Sequence, residues 1–158
     1  QNLQMLIYLY AVISSGKYPQ IPAGILYLPA SRKKKRTDRK MNGLLSLDEE
    51  VLYALEKDQK GQFVPSAKRS KDSYIEPEDF DDIFEYTKRK IISAGLLIKA
   101  GNIAADPTDD TEKNADACKY CDFSSVCRKK NEPHKKIDNL STKECVEEMR
   151  KENSENGN

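Results

Sequence analysis

Three cysteines stand within ten residues, Cys118, Cys121 and Cys127 in the run CKYCDFSSVC, and only Cys145 lies elsewhere in the chain. Thiolates packed that closely can seize one soft metal centre, yet neither a tetrahedral zinc site nor an iron–sulfur cluster is complete with three. The fourth ligand is then Cys145, His134 or a group this chain does not contain. Cys145 is separated from Cys127 by seventeen residues, and His134 follows a proline in a Lys-rich stretch; either would close a zinc site. A cluster whose fourth thiolate comes from far away in sequence accounts for the arrangement better. Cysteines serving only as small apolar fillers fit it poorly, because Lys119, Asp122 and two serines interleave them.

A second pair with chemical capacity is Gln4 and Tyr8. They are one helical turn apart, so both point to the same side of a helix. By itself Gln-x3-Tyr reads first as core filling with a satisfied amide and only second as a functional pair. A third candidate is SRKKKRTDRK, with seven basic residues in the nine from Arg32 to Lys40. Lys33, Lys34, Lys35 and Arg36 belong either to a solvated loop or to a phosphate-contacting edge that would make binding salt-sensitive. One histidine in a polar stretch supports no Ser/His/Asp or Cys/His catalytic set, and no glycine-rich phosphate loop appears. The acidic residues read as helix-surface or loop positions.

The elements that must position these residues are legible from periodicity. LQMLIYLYAVI has the length and composition of a helix whose apolar groups cover nearly every direction, so it is expected to be enclosed by protein, with Gln4 needing partners. Ser14, Ser15 and Gly16 end it. AGILYLPA, bounded by prolines, reads as a strand buried on both faces. Ser46 with Glu49 three residues on suggests a capping box opening a helix through Val51, Leu52 and Leu55, and QFVP a brief strand. Pro77 and the acidic residues 78–82 open a long helix, along which Phe80, Phe84, Thr87, Ile91, Ala94 and Ile98 form a core stripe that Gly101 closes.

Bulk properties bound the answer. The 158 residues carry 34% charged against 37% hydrophobic side chains and a net charge of +1, so no global field draws the protein to nucleic acid or membrane. No apolar run approaches the ~18 residues that span a bilayer, and four cysteines clustered three to one do not form a disulfide framework. A soluble cytoplasmic protein is expected, with residues 1–131 folded and 132–158 a charged, disordered tail.

Taken in order, LQMLIYLYA, AGILYLP, NGLLSLDEEVLYALEKD, PEDFDDIFEYTKRKI, GNIAADP and CKYCDFSSVC resemble the C-terminal part of the nuclease domain of AddB-type subunits. These belong to bacterial AddAB, the ATP-dependent helicase/nuclease that processes double-strand DNA breaks for recombination; RecB-family exonucleases share the Gln-x3-Tyr helix. The resemblance runs from Gln1 to about Arg128. It implies an α/β (α+β) architecture, part of a restriction-endonuclease-like fold, helix-rich with a short mixed sheet. It implies a PD-(D/E)XK site in which carboxylates hold Mg2+ for phosphodiester hydrolysis, with Gln4 and Tyr8 on the helix lining that site. Cys118, Cys121 and Cys127 match the last three ligands of a 4Fe-4S cluster. DNA and an AddA-type helicase/nuclease subunit are the implied partners.

The catalytic Asp, the Asp/Glu-x-Lys pair and the first cluster cysteine of that pattern are absent and would precede Gln1. The expectation is therefore a C-terminal fragment of an exonuclease subunit that alone neither cuts DNA nor holds an intact cluster, and whose apolar first helix invites homodimerisation. The alternative is a small zinc-binding interaction module closed by Cys145 or His134.

Overall fold

A computed structural model describes residues 3–18, 21–28, 41–58, 60–65, 71–104, 107–109, 118, 121–123, 125–127, 135–136 and 140–155. It resolves into two compact units, one made of residues 1–93 with 141–158 and one of residues 94–140.

The first unit is built on a three-stranded mixed sheet. Strand β1 (Gly24–Tyr27) runs antiparallel to β2 (Asn42–Ser46), pairing Ile25 with Leu44 and Tyr27 with Asn42. The two-residue strand β3 (Tyr74–Ile75) lies parallel on the other side of β2, giving the order β1-β2-β3. Successive side chains of a strand face opposite ways, and β2 therefore feeds two cores. Leu44 joins Leu6, Ile25, Ile75, Phe80, Ile83 and Val146, whereas Leu45 joins Leu52, Val64 and Tyr74. The expectation for AGILYLPA is corrected here: in β1 only Ile25 is buried, because β1 is an edge. The strand buried on both faces is β2, whose last residue the periodicity places at a helix start.

That reassignment moves a cap. Ser46 closes β2, its backbone N–H donating to Ala23 and its residue pairing with Ile75, so it is not free to start a helix. Asp48 does so instead: its Oδ1 accepts from the N–H groups of Glu50 (2.8 Å) and Val51 (3.2 Å) at the head of α2 (Glu49–Leu55). QFVP forms no strand; it is a bent loop whose Phe63 carbonyl accepts from the Met41 N–H at 2.8 Å and whose Pro65 carbonyl accepts from the Tyr74 hydroxyl on β3.

Helix α1 (Leu3–Ser14) stops where expected, at Gly16, whose φ of 67° suits the residue past a helix end. It is not enclosed, however. Leu6 alone is buried, Met5 and Leu9 pack on the first core, and Gln4, Tyr8, Ala11 and Val12 form an exposed face. The long helix α3 (Asp79–Lys99) ends in a Schellman arrangement: Gly101 (φ 70°) donates to Ile98 at 3.0 Å and Asn102 to Leu97 at 3.0 Å. Its core stripe is only half realised. Phe80, Ile83 and Thr87 are buried, but Ile91, Ala94 and Ile98 are exposed.

The expected disordered tail is also corrected. Residues Thr142–Glu155 form α4, opened by a reciprocal capping box in which Ser141 N–H donates to Glu144 Oε2 (2.7 Å) and Glu144 N–H to Ser141 Oγ (3.3 Å). Val146 is buried in the first core with Met149 packed beside it. Arg150 reaches Asp79 and Asp82 on α3, both at 2.8 Å, and Asn153 donates to the Asp82 carbonyl at 2.9 Å. The missed signal is STKE at 141–144 followed by apolar residues three apart.

In the second unit, β4 (Thr108–Asp109) pairs in parallel with β5 (Lys135–Lys136); Cys118 lies in a turn, and Cys121 and Cys127 flank the turn residues Asp122, Phe123, Ser125 and Val126.

Candidate functional site

The exposed face of α1 carries the first candidate pair. Helical spacing stacks Gln4 under Tyr8, and Gln4 Nε2 donates to Tyr8 Oη at 2.9 Å. Both side chains are exposed, Tyr8 at 54%, so the reading of Gln-x3-Tyr as core filling is corrected. The next residues along α1, Met5 and Leu6, turn the other way and line a cleft of about 250 Å³ with Ile25, Tyr27, Gly43, Leu44 and Asp72. Gly43 is required there by close approach: a Cβ would collide with the Ile25 carbonyl oxygen across the β1–β2 pair. An amide and a phenol side by side, with their neighbours anchored in a core, can orient a polar ligand by hydrogen bonds while the helix stays fixed.

The cysteine run folds locally as two turns. Cys121 N–H donates to the Cys118 carbonyl at 3.3 Å, and Cys127 N–H to the Phe123 carbonyl at 2.9 Å. All three side chains are half-buried and none is in a disulfide. Cys145 sits on α4 and belongs to the other compact unit. Among the described residues no three His, Cys, Asp or Glu side chains converge on a point that would hold a metal ion. The donor chemistry of the run suits a soft metal, but the described residues by themselves do not compose a site for Mg2+, zinc or a cluster. His134 and the basic positions Lys33, Lys34, Lys35 and Arg36 lie outside the described residues.

One carboxylate that sequence reading places on a helix surface is buried. Glu56, at the end of α2, is 8% exposed and receives the N–H groups of Gln62 on Oε1 (2.9 Å) and Phe63 on Oε2 (3.4 Å). Burial pushes its carboxyl up, but the backbone donors from Gln62, Phe63, Val64 and Gly61 together outweigh burial and hold it below the ordinary carboxylate value. Tyr74, which donates to the Pro65 carbonyl, has its phenol raised by burial and by the Glu56 charge. No local sequence signal marks Glu56, since its partners lie five to eight residues downstream in an irregular loop.

Residues 1–128 match the PD-(D/E)XK nuclease superfamily. Relatives include the B subunit of the ATP-dependent helicase/deoxyribonuclease of Clostridium novyi, 30% identical over 152 aligned positions that cover 80% of this chain and 13% of the relative. The protein of that name in Alkaliphilus metalliredigens is 26% identical over 182 positions, covering 96% of this chain and 16% of the relative. That of Clostridium kluyveri is 30% identical over 155 positions, covering 80% and 13%. The chain thus spans 13 to 16% of the length of these relatives. No helix among the described residues is long and apolar enough to cross a membrane.

Proposed function

The chain belongs to the PD-(D/E)XK nuclease superfamily, and from that premise we propose that it is the C-terminal part of the nuclease domain of an AddB-type subunit. The parent acts in the cytoplasm with an AddA-type helicase/nuclease subunit, hydrolysing DNA phosphodiesters during double-strand break repair. The observation that carries the reading is the exposed, hydrogen-bonded Gln4–Tyr8 pair on α1. A carboxamide and a phenol bonded to each other one turn apart on an exposed helix face offer a ligand donor and acceptor groups at fixed spacing.

In such nucleases bound Mg2+ activates water and stabilises charge on the scissile phosphate. On this reading the carboxylates and Lys of that signature stand before Gln1 in the parent, and these 158 residues alone do not cut DNA. The role left to this chain's own residues is to bind and orient: Gln4 and Tyr8 present a carboxamide and a phenol at fixed spacing. In the full-length polypeptide Gln4→Ala and Tyr8→Phe should each lower DNA hydrolysis roughly tenfold or more, with an unchanged unfolding midpoint. Full activity in both variants would remove the pair from the active site.

Cys118, Cys121 and Cys127 are proposed as three ligands of a 4Fe-4S cluster, a role supported by their thiolate chemistry and spacing. The fourth thiolate comes from outside this chain. Anaerobic treatment with iron and sulfide should then build a stable cluster chromophore in the full-length polypeptide but not in these 158 residues. A chromophore that forms in the short chain and survives Cys145→Ala would contradict the missing ligand. One tightly held zinc, lost with Cys145→Ala, would favour the zinc-module alternative.

A further inference from the structure

Gln4 and Tyr8 stand on the exposed face of α1, and their aim depends on what holds the opposite face. In α1 only Leu6 is buried, with Met5 and Leu9 packed against the first core. Met5 and Leu6 also line the cleft of about 250 Å³, together with Ile25, Leu44 and Asp72. A helix anchored through one buried side chain beside a cleft keeps its tilt only as firmly as the groups that share that anchor, because close-packed side chains pass on one another's displacements.

Two of those groups come from α4, at the far end of the sequence. Val146, 5% exposed, belongs to the same buried cluster as Leu6, with Ile75 of β3 and Phe80 of α3 between the same layers of the core. Thr142, 4% exposed, donates its hydroxyl to the Asp72 carbonyl in the short 3-10 turn Lys71–Ser73, which leads into β3. A buried hydroxyl must be satisfied, so this bond fixes the backbone of a residue that lines the cleft. The first turns of α4 therefore bear both on the core that anchors α1 and on the cleft beside it. Truncating Val146 would leave space in that core, which the surrounding side chains, Leu6 among them, relax into only in part.

We propose that α4 is a positioning element for the Gln4–Tyr8 pair, acting through Val146 in the shared core and through the Thr142 hydroxyl on the cleft backbone. The inference rests on the reading of that pair as part of a nuclease site, and it extends the site's support to a helix outside the matched residues 1–128. Both α4 residues are buried, so neither meets a ligand; their effect is on orientation. A displacement of about 1 Å at groups that orient a substrate can cost up to about a hundredfold in rate.

The test uses the full-length polypeptide, with DNA hydrolysis measured well below the unfolding midpoint of every variant. Val146→Ala should lower kcat on the order of tenfold while KM stays within about twofold of wild type. Thr142→Val should lower kcat about threefold, and Thr142→Ser, which keeps the donor, should retain the wild-type rate. Val64→Ala, the same truncation at a residue 4% exposed in the second core, should leave kcat unchanged. Hydrogen exchange should show loss of amide protection over residues 7–11 of α1 in Val146→Ala but not in Val64→Ala. An unchanged kcat in Val146→Ala, equal losses in Val146→Ala and Val64→Ala, a Thr142→Ser variant as slow as Thr142→Val, or an undisturbed α1 would each overturn the proposal. Failure of the nuclease reading itself looks different: the wild-type polypeptide would not hydrolyse DNA, or Gln4→Ala and Tyr8→Phe would keep the full rate, while exchange in α1 still responded to Val146→Ala.

Discussion

Glu56 shows what one residue can decide. Its carboxylate replaces the strand that QFVP does not form, taking the N–H groups of Gln62 and Phe63 in an irregular loop. Its folded value lies below the ordinary 4.5, so it stabilises the protein above that value, and the contribution is lost as pH falls through the folded value. Urea unfolding of the chain should therefore show a stability plateau near neutrality and a decline on acidification. Glu56→Gln should lower the plateau by about 1 to 3 kcal/mol and flatten the acid decline. An equal decline in both proteins would mean that other carboxylates govern it. At Gly43, Ala should break the β1–β2 pairing, since the clash is with backbone and not with a movable side chain; loss of amide exchange protection at Ile25 and Leu44, which pair across the two strands, would report it.

Among the elements, α4 changes the picture most. It lies beyond the matched residues 1–128, yet it completes the first core and ties α3 through Arg150 and Asn153. Its hold is mainly apolar, since exposed ion pairs of the Arg150 kind contribute little. Val146→Ala should cost about 1 to 3 kcal/mol, whereas Arg150→Ala should shift the unfolding midpoint less and lose even that effect at high salt. The opposite order would make α4 an electrostatic strap. On α3, Phe80→Ala, at 1% exposure, should cost about 3 to 5 kcal/mol, while Ile98→Ala, at 78%, should be nearly silent.

For the whole molecule, the two units pose different questions. The first presents α1 with its polar pair and the sheet behind it; the second carries the cysteine turns. In the full-length polypeptide, replacing Lys33, Lys34 and Lys35 by Ala should lower DNA affinity and reduce the salt slope by roughly the number of phosphate contacts removed. Titration of affinity against salt checks this, and an unchanged slope would return the run to solvated loop.

Much of the fold was open to reading because it depends on neighbours in sequence. The spans of α1 and α3 and their stops at Gly16 and Gly101 follow from helical spacing and a positive φ, and Gln4 meets Tyr8 because four residues make one turn. STKE at 141–144 was equally local and was masked only by the charge around it. What depends on distant partners could not be read that way. Which of two apolar runs becomes the central strand was decided by what pairs on each side, and that choice took Ser46 from the cap and gave the role to Asp48. The exposure of the Gln4–Tyr8 face and the burial of Glu56 were likewise tertiary decisions. A side chain's type fixes what it can bond, but only the packed chain fixes what remains for it to bond with.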